Sequence, residues 1–161
     1  MISERTESVE LREATVADHE FLFRVYASTR QDELAATGWA QAQLEAFLRM
    51  QSAAQESDYR FRFPGTSRQV IVVGGAPAGR LLVHRSATAI RLVDIALLPE
   101  FRGAGVGTRL INELLAEAAA AGLPVDLQVL AWNPVRHHYL DLGFVETGSD
   151  GVYVAMRWRG R

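Results

Sequence analysis

Residues 97–110 read LLPEFRGAGVGTRL, which places Gly103, Gly105 and Gly107 at alternate positions between an apolar run and a helical pattern. Glycine at such a junction costs roughly 0.5–1 kcal/mol relative to alanine, so a cluster of them implies that something approaches the backbone closely. A strand, then Arg102-Gly103-Ala104-Gly105-Val106-Gly107, then a helix would aim free backbone N–H groups and the positive end of a helix dipole at one point. That is a cradle for an anion. Each hydrogen bond to a charged partner is worth about 1.5–3 kcal/mol, so two of them outweigh the glycines. A nucleotide-hydrolysing loop needs Lys and then Ser or Thr after its last glycine, whereas Thr108 and Arg109 follow Gly107. A dinucleotide fold needs G-x-G-x-x-G near the first strand, and the spacing here is G-x-G-x-G, late in the chain. A pyrophosphate carried by coenzyme A remains, beside the plainer reading of a tight turn whose glycines bring strand and helix into contact.

Few other residues in apolar segments could do chemistry. Asp94 stands in the middle of AIRLVDIALL (89–98), where an ionisable group needs a partner or a purpose. Strand alternation sets it on the face opposite Val93, Ile95 and Leu97, and both an arginine partner and a role as general base are open to it. His137 and His138 are adjacent and cannot share a helix face, and His84 stands apart in sequence, so no metal is expected. The chain has no cysteine, which removes thiolate nucleophiles, disulfides and cysteine metal sites.

The elements that must hold these residues follow from periodicity. VELREAT (9–15) alternates and precedes Asp18, predicting a strand that leads into a capped helix over 18–30. QDELAATGW (31–39) reads as a break, and 40–61 as a second helix with Leu44, Phe47, Leu48 and Gln51 on one side. RQVIVVGGAPAGRLLVHRS (68–86) holds two β-rich runs around Gly74, Gly75, Pro77 and Gly79, a hairpin pattern. After the strand at 89–98, the helix at 108–122 repeats Leu110, Ile111, Leu114, Leu115 and Ala118 on one face and stops at Gly122. A strand (124–131), a short helix (133–143) with Asn133 as cap and Pro134 at its first position, and a closing hairpin (144–158) complete the chain. The expectation is one α/β domain over 1–161, a mixed sheet of about seven strands with four helices, in which the helix after 89–98 permits a parallel crossover to 124–131. At 161 residues and 48% hydrophobic the chain can bury a core, and a net charge of −2 offers no general basis for nucleic-acid binding. The polar N-terminus and the lack of a membrane-length apolar run lead to the expectation of a cytoplasmic protein with no membrane partner.

The sequence resembles the GNAT superfamily of N-acetyltransferases, whose cofactor motif is Arg or Gln, two residues, Gly, one residue, then Gly or Ala; Arg102, Gly105 and Gly107 fill it. IALLPEFRG looks like the family's fourth strand and following turn, NPVRHHYLDLGF looks like its Asn, helix, Tyr, Gly-Phe segment, and the similarity runs over 68–158. The resemblance implies a sheet whose fourth and fifth strands, 89–98 and 124–131, splay apart around the acetyl-pantetheine arm of acetyl-CoA. It implies that backbone groups at Ala96 and Leu97 bind that arm and polarise the thioester carbonyl. Arg102, Gly103, Ala104, Gly105, Val106, Gly107 and Thr108 would hold the pyrophosphate, and Asn133 and Arg136 would touch the cofactor, with Asn133 equally readable as a helix cap. Tyr139 would protonate the departing thiolate, which a phenol of pKa near 10 can do at pH 7, although Tyr139, Leu142 and Phe144 also read as one apolar patch.

An ammonium with a pKa near 10.4 must lose a proton before it attacks, and Asp94 is the candidate catalytic carboxylate. The positions where members of the family carry a base resemble Arg91, Val93 and Gln128, none of which is one, so a water relay is favoured. The implied function is an acetyl-CoA-dependent N-acetyltransferase acting on a primary amine of a small molecule or peptide by direct attack in a ternary complex. The alternative is a non-catalytic acyl-CoA-binding or sensor domain, and a homodimer is left open. Acceptor choice would come from 28–40 and from GSDG (148–151), where Asp32, Glu33 and Asp150 are the carboxylates that could attract an ammonium or be ordinary solvated charge.

Overall fold

The computed structural model describes residues 7–160, apart from the side chain of Asp32. Strand β1 (Val9–Glu13) runs through a short 3-10 turn (Val16–Asp18) into α1 (His19–Ala35). Arg12 donates from both terminal nitrogens to the two oxygens of Asp18, at 2.9 and 2.7 Å, while the Thr15 N–H donates to Asp18 at 2.8 Å. Asp18 therefore turns the chain from strand to helix, and it is buried because its charge is matched. The helix does not stop at Arg30 as expected. Gln31, Glu33, Leu34 and Ala35 are good helix formers and carry it a further turn, and the stop comes at Gly38, whose φ is 71°.

Helix α2 (Gln41–Arg62) follows, and none of its residues is fully buried. Strands β2 (Ser67–Val73) and β3 (Ala76–Arg85) are joined by Gly74 and Gly75 alone, both at positive φ (57° and 83°), as a two-residue hairpin loop requires. Pro77 and Gly79, expected in the loop, lie inside β3. Gly79 has a different cause: a Cβ there would collide with the carbonyl oxygen of Ala96 and stand 3.0 Å from the Leu97 Cα, so the absent side chain lets β3 pass close to the next strand, β4 (Ile90–Leu97).

A second 3-10 turn (Pro99–Phe101) leads to α3 (Val106–Ala121), whose expected apolar face is buried at Leu110, Ile111, Leu114, Leu115 and Ala118. Gly122, at φ 69°, closes it as predicted, with Gly122 N–H bonded to Ala119 O and Leu123 N–H to Ala118 O, a Schellman arrangement. The chain ends with β5 (Val125–Leu130), α4 (Val135–Asp141), β6 (Val145–Ser149) and β7 (Tyr153–Trp158).

The seven strands form one mixed sheet in the order β1-β2-β3-β4-β5-β7-β6. The described β4–β5 ladder is parallel and covers two pairs, Ile90↔Val125 and Arg91↔Asp126, at the start of each strand; β5 and β7 pair antiparallel over six. By contacts the chain groups into two compact units, one running to Leu82 and including Asp94–Gly107, the other comprising Val83–Val93 and the chain from Thr108 onward. The first has Val25, Tyr26, Val70 and Ile71 at its centre, and the second Ile90, Ile111, Val125, Phe144 and Met156.

Candidate active site

In the first unit, β4 ends at Leu97 and the 3-10 turn delivers Arg102 in extended conformation, with Gly103 at φ 80° and Gly105 at φ 82°. These two glycines are explained by backbone geometry, since side chains rarely adopt positive φ. Gly107 is not. It lies in the first turn of α3 with no positive φ, and among the described residues no atom outside its own turn would come within 4 Å of a Cβ placed on it. Neither strain nor packing in the protein asks for glycine there, although it costs close to 1 kcal/mol in a helix. The plainer reading of the loop, glycines that let strand and helix touch, thus finds no contact at Gly103, Gly105 or Gly107. The positive φ of Gly105 also means that a bulky substitution there would strain the turn, so Gly107 is the position that isolates ligand access.

Arg102 donates from Nε to the Leu97 carbonyl at 2.9 Å and from a terminal nitrogen to Ser28 Oγ at 3.4 Å, while Ser28 donates to Val25 O at 2.7 Å. Its guanidinium therefore ties the end of β4 to α1. Residues 103–105 are exposed, and the backbone N–H groups of the first turn of α3 have no intrahelical acceptor, which is the donor arrangement an anion would use. A pyrophosphate fits this donor set.

Asp94 has the arginine partner that its place in an apolar strand demanded. It is ion-paired with Arg80 of β3, which is 7% exposed, donates to Gln55 Oε1 of α2 at 3.0 Å, and lies with its guanidinium carbon 5.9 Å from the centre of the Tyr26 ring. A buried guanidinium without its carboxylate would be costly, so Asp94 has a structural task whatever else it does. Arg80 and Gln55 escaped the sequence reading. The available signal was a basic and an acidic residue, Arg80 and Asp94, in the interior of two adjacent apolar strands.

In the second unit, Tyr139 is buried, with its ring centre 5.5 Å from that of Phe144 and its carbonyl accepting the Phe144 N–H at 3.0 Å. Of the expected patch, the Tyr139–Phe144 contact is present. Asn133 caps α4, its Oδ1 accepting the Val135 N–H at 3.0 Å, and Arg136 is paired with Glu146 at 3.4 Å. Thr108 Oγ1 lies 3.0 Å from Nε2 of His138, a contact that joins α3 to α4 and that sequence reasoning missed, because it treated the two adjacent histidines alike.

Of the carboxylates considered for an ammonium, Glu33 is paired with Arg30 at 3.5 Å and the Asp32 side chain lies outside the described residues. Asp150 accepts the N–H groups of Tyr153 and Val152 at 2.7 and 2.9 Å, which hold its carboxyl below the usual range and make it the former of the β6–β7 turn. An open concavity of about 380 Å³ lined by residues including Asp126, Thr147 and Arg157 shares no residue with these segments, and Arg157 is already bonded to Asp126 at 2.6 and 2.8 Å.

The model of the acetyltransferase (GNAT) family matches residues 32–144, more than half of the chain. Among solved structures, the chain is similar to the PaiA N-acetyltransferase of Thermoplasma acidophilum in complex with coenzyme A, at 19% identity and TM-score 0.70, over 95% of this chain and 99% of that one. It is similar to Ard1 of Thermoplasma volcanium at 24% identity and TM-score 0.60, over 94% and 96% of the two chains. An acetyltransferase of Thermus thermophilus matches at 20% identity and TM-score 0.64, over 93% and 95%. At these identities the structural likeness speaks for the fold.

Proposed function

The chain belongs to the GNAT acetyltransferase family, and on that premise we propose that it moves an acetyl group from acetyl-CoA to a primary amine of a small molecule or peptide, by direct attack in a ternary complex. Acetyl-CoA supplies an activated thioester. The amides of residues 103–108 bind its pyrophosphate, Asn133 and Arg136 contact the cofactor, and backbone groups at Ala96 and Leu97 bind the pantetheine arm and polarise the carbonyl. Tyr139 donates a proton to the departing thiolate. The absence of cysteine supports direct attack over a thiol acyl-enzyme. Asp94 is ion-paired with Arg80, and Arg91, Val93 and Gln128 stand where the family resemblance would put a base, so the amine loses its proton through ordered water.

The observation that carries the reading is Gly107, a glycine that neither backbone strain nor packing requires. Gly107→Leu restores a good helix former, so stability should hold or rise by about 0.5–1 kcal/mol. Its side chain should obstruct the amides and weaken CoA binding at least tenfold, about 1.4 kcal/mol. Calorimetric titration with CoA beside a urea melt reads both; undiminished affinity in the folded variant removes the pyrophosphate assignment.

The partnered state of Asp94 also gives substance to the alternative, a non-catalytic acyl-CoA-binding or sensor domain. Thiol release from acetyl-CoA across a panel of amines separates the two: binding without release on every amine favours the sensor.

A further inference from the structure

Thr108 is the third residue of α3, so its backbone N–H is among those without an intrahelical acceptor, and its hydroxyl meets Nε2 of His138 at 3.0 Å. Both side chains are half-buried, whereas the neighbouring His137 is exposed. His138 sits in the last turn of α4, with its carbonyl accepting the Leu142 N–H at 3.1 Å and its ring centre 6.4 Å from that of Tyr139.

A hydroxyl carries one proton and two lone pairs, and an imidazole nitrogen either bears a hydrogen or accepts one. If Nε2 is bare, Thr108 donates to the ring and turns only lone pairs to an incoming anion. If Nε2 carries hydrogen, the ring donates to Thr108 Oγ1, and the hydroxyl proton is free for an anionic oxygen. We infer that His138 is a positioning residue for the cofactor: by donating from Nε2 to Thr108, it makes that hydroxyl a donor to a phosphate oxygen at the start of α3. The inference rests on the assignment of residues 102–108 to the pyrophosphate. Hydrogen bonds to an ionised acceptor are roughly twice as strong as neutral ones, so the placement of this single proton separates attraction from lone-pair repulsion. The same coupling runs in reverse, and bound CoA selects the ring state with hydrogen on Nε2.

The test is CoA calorimetry on the full chain and on Thr108→Val, His138→Phe, His138→Gln and the Thr108→Val/His138→Phe double variant, with ring nitrogen NMR of His138 in the unsubstituted protein. Thr108→Val and His138→Phe should each weaken CoA binding by about tenfold, and the double variant by no more than the worse single one, as for residues acting through one contact. His138→Gln, whose amide can donate as Nε2 does, should bind within about threefold of the parent. The ring resonance should report hydrogen on Nε2 in the CoA complex. Additive losses, parental affinity in folded His138→Phe, or a bare Nε2 in the complex would overturn the inference while leaving the cradle in place. Parental affinity in folded Thr108→Val would overturn the inference alone, whereas failure of the parent to bind CoA, or parental affinity in folded Gly107→Leu, would remove the cradle assignment and this inference with it. The NMR measurement needs no variant, so a bare Nε2 in the complex overturns the inference even if a substitution prevents folding.

Discussion

Tyr139 combines a packed ring, stacked at an angle of 60° on Phe144, with a phenol proposed as the acid. Tyr139→Phe separates the two, because it keeps the ring and removes the hydroxyl. Stability and CoA affinity should change little, while single-turnover thiol release should fall by the 10²-fold or so typical of a lost general acid. Equal single-turnover rates where chemistry is limiting would take Tyr139 out of the mechanism. At Asp18 the question is stability. The Arg12 guanidinium, with the Thr15 N–H, holds its carboxyl well below the usual carboxylate range. The unfolded chain, with a pKa near 3.9, takes up that proton first, so the contribution is complete above about pH 4 and is lost as pH falls toward the folded value. Asp18→Asn should therefore be less stable than the parent at pH 7, with the difference narrowing by pH 3. Parallel loss in both proteins, read by urea midpoints at the two pH values, would show that another group governs acid sensitivity.

Among the elements, β3 shows how one missing side chain fixes a spacing. The Ala96 carbonyl oxygen occupies the place a Cβ of Gly79 would take, and Leu98 N–H bonds to Ala78 O at 2.8 Å beside it. A methyl group there meets backbone, which cannot swing aside, so Gly79→Ala should cost at least the 1–3 kcal/mol or so usual for overpacking. Gly148→Ala, in β6 with open space around its Cα, is the control and should be nearly neutral. Comparable urea midpoints for the two variants would mean that β3 and β4 can separate freely at Ala96. Helix α3 is the contrasting case, legible in its face and its stop: five apolar residues at helical spacing became its buried face and Gly122 ended it, while its start lies at Val106, two residues before the expected 108. Helix α1 runs past the expected end at Arg30 because Gln31–Ala35 continue the helix, and the break expected over 31–39 is confined to the residues around Gly38.

For the whole molecule, a ligand that binds only the folded chain raises its stability by mass action. Saturation at 100 times Kd is worth about 2.7 kcal/mol, which for a chain of this size is a rise in Tm of roughly 5–11 °C. CoA should produce that rise in the parent and much less in Gly107→Leu at the same concentration; equal rises would detach the stabilisation from the first turn of α3. The order of elements, the parallel crossover around α3, the family and the glycine loop were all determined by the sequence, because helical and strand periodicity, turn glycines and a short glycine-rich motif are local properties of the chain. Tertiary structure alone decided which distant groups meet: Arg80 with Asp94 and Gln55, Arg102 with Ser28, Thr108 with His138, and the backbone of Gly79 against the Ala96 carbonyl. Each of these joins residues brought together by strand pairing or helix packing, and no local pattern encodes the partner of a side chain whose neighbour lies on another element.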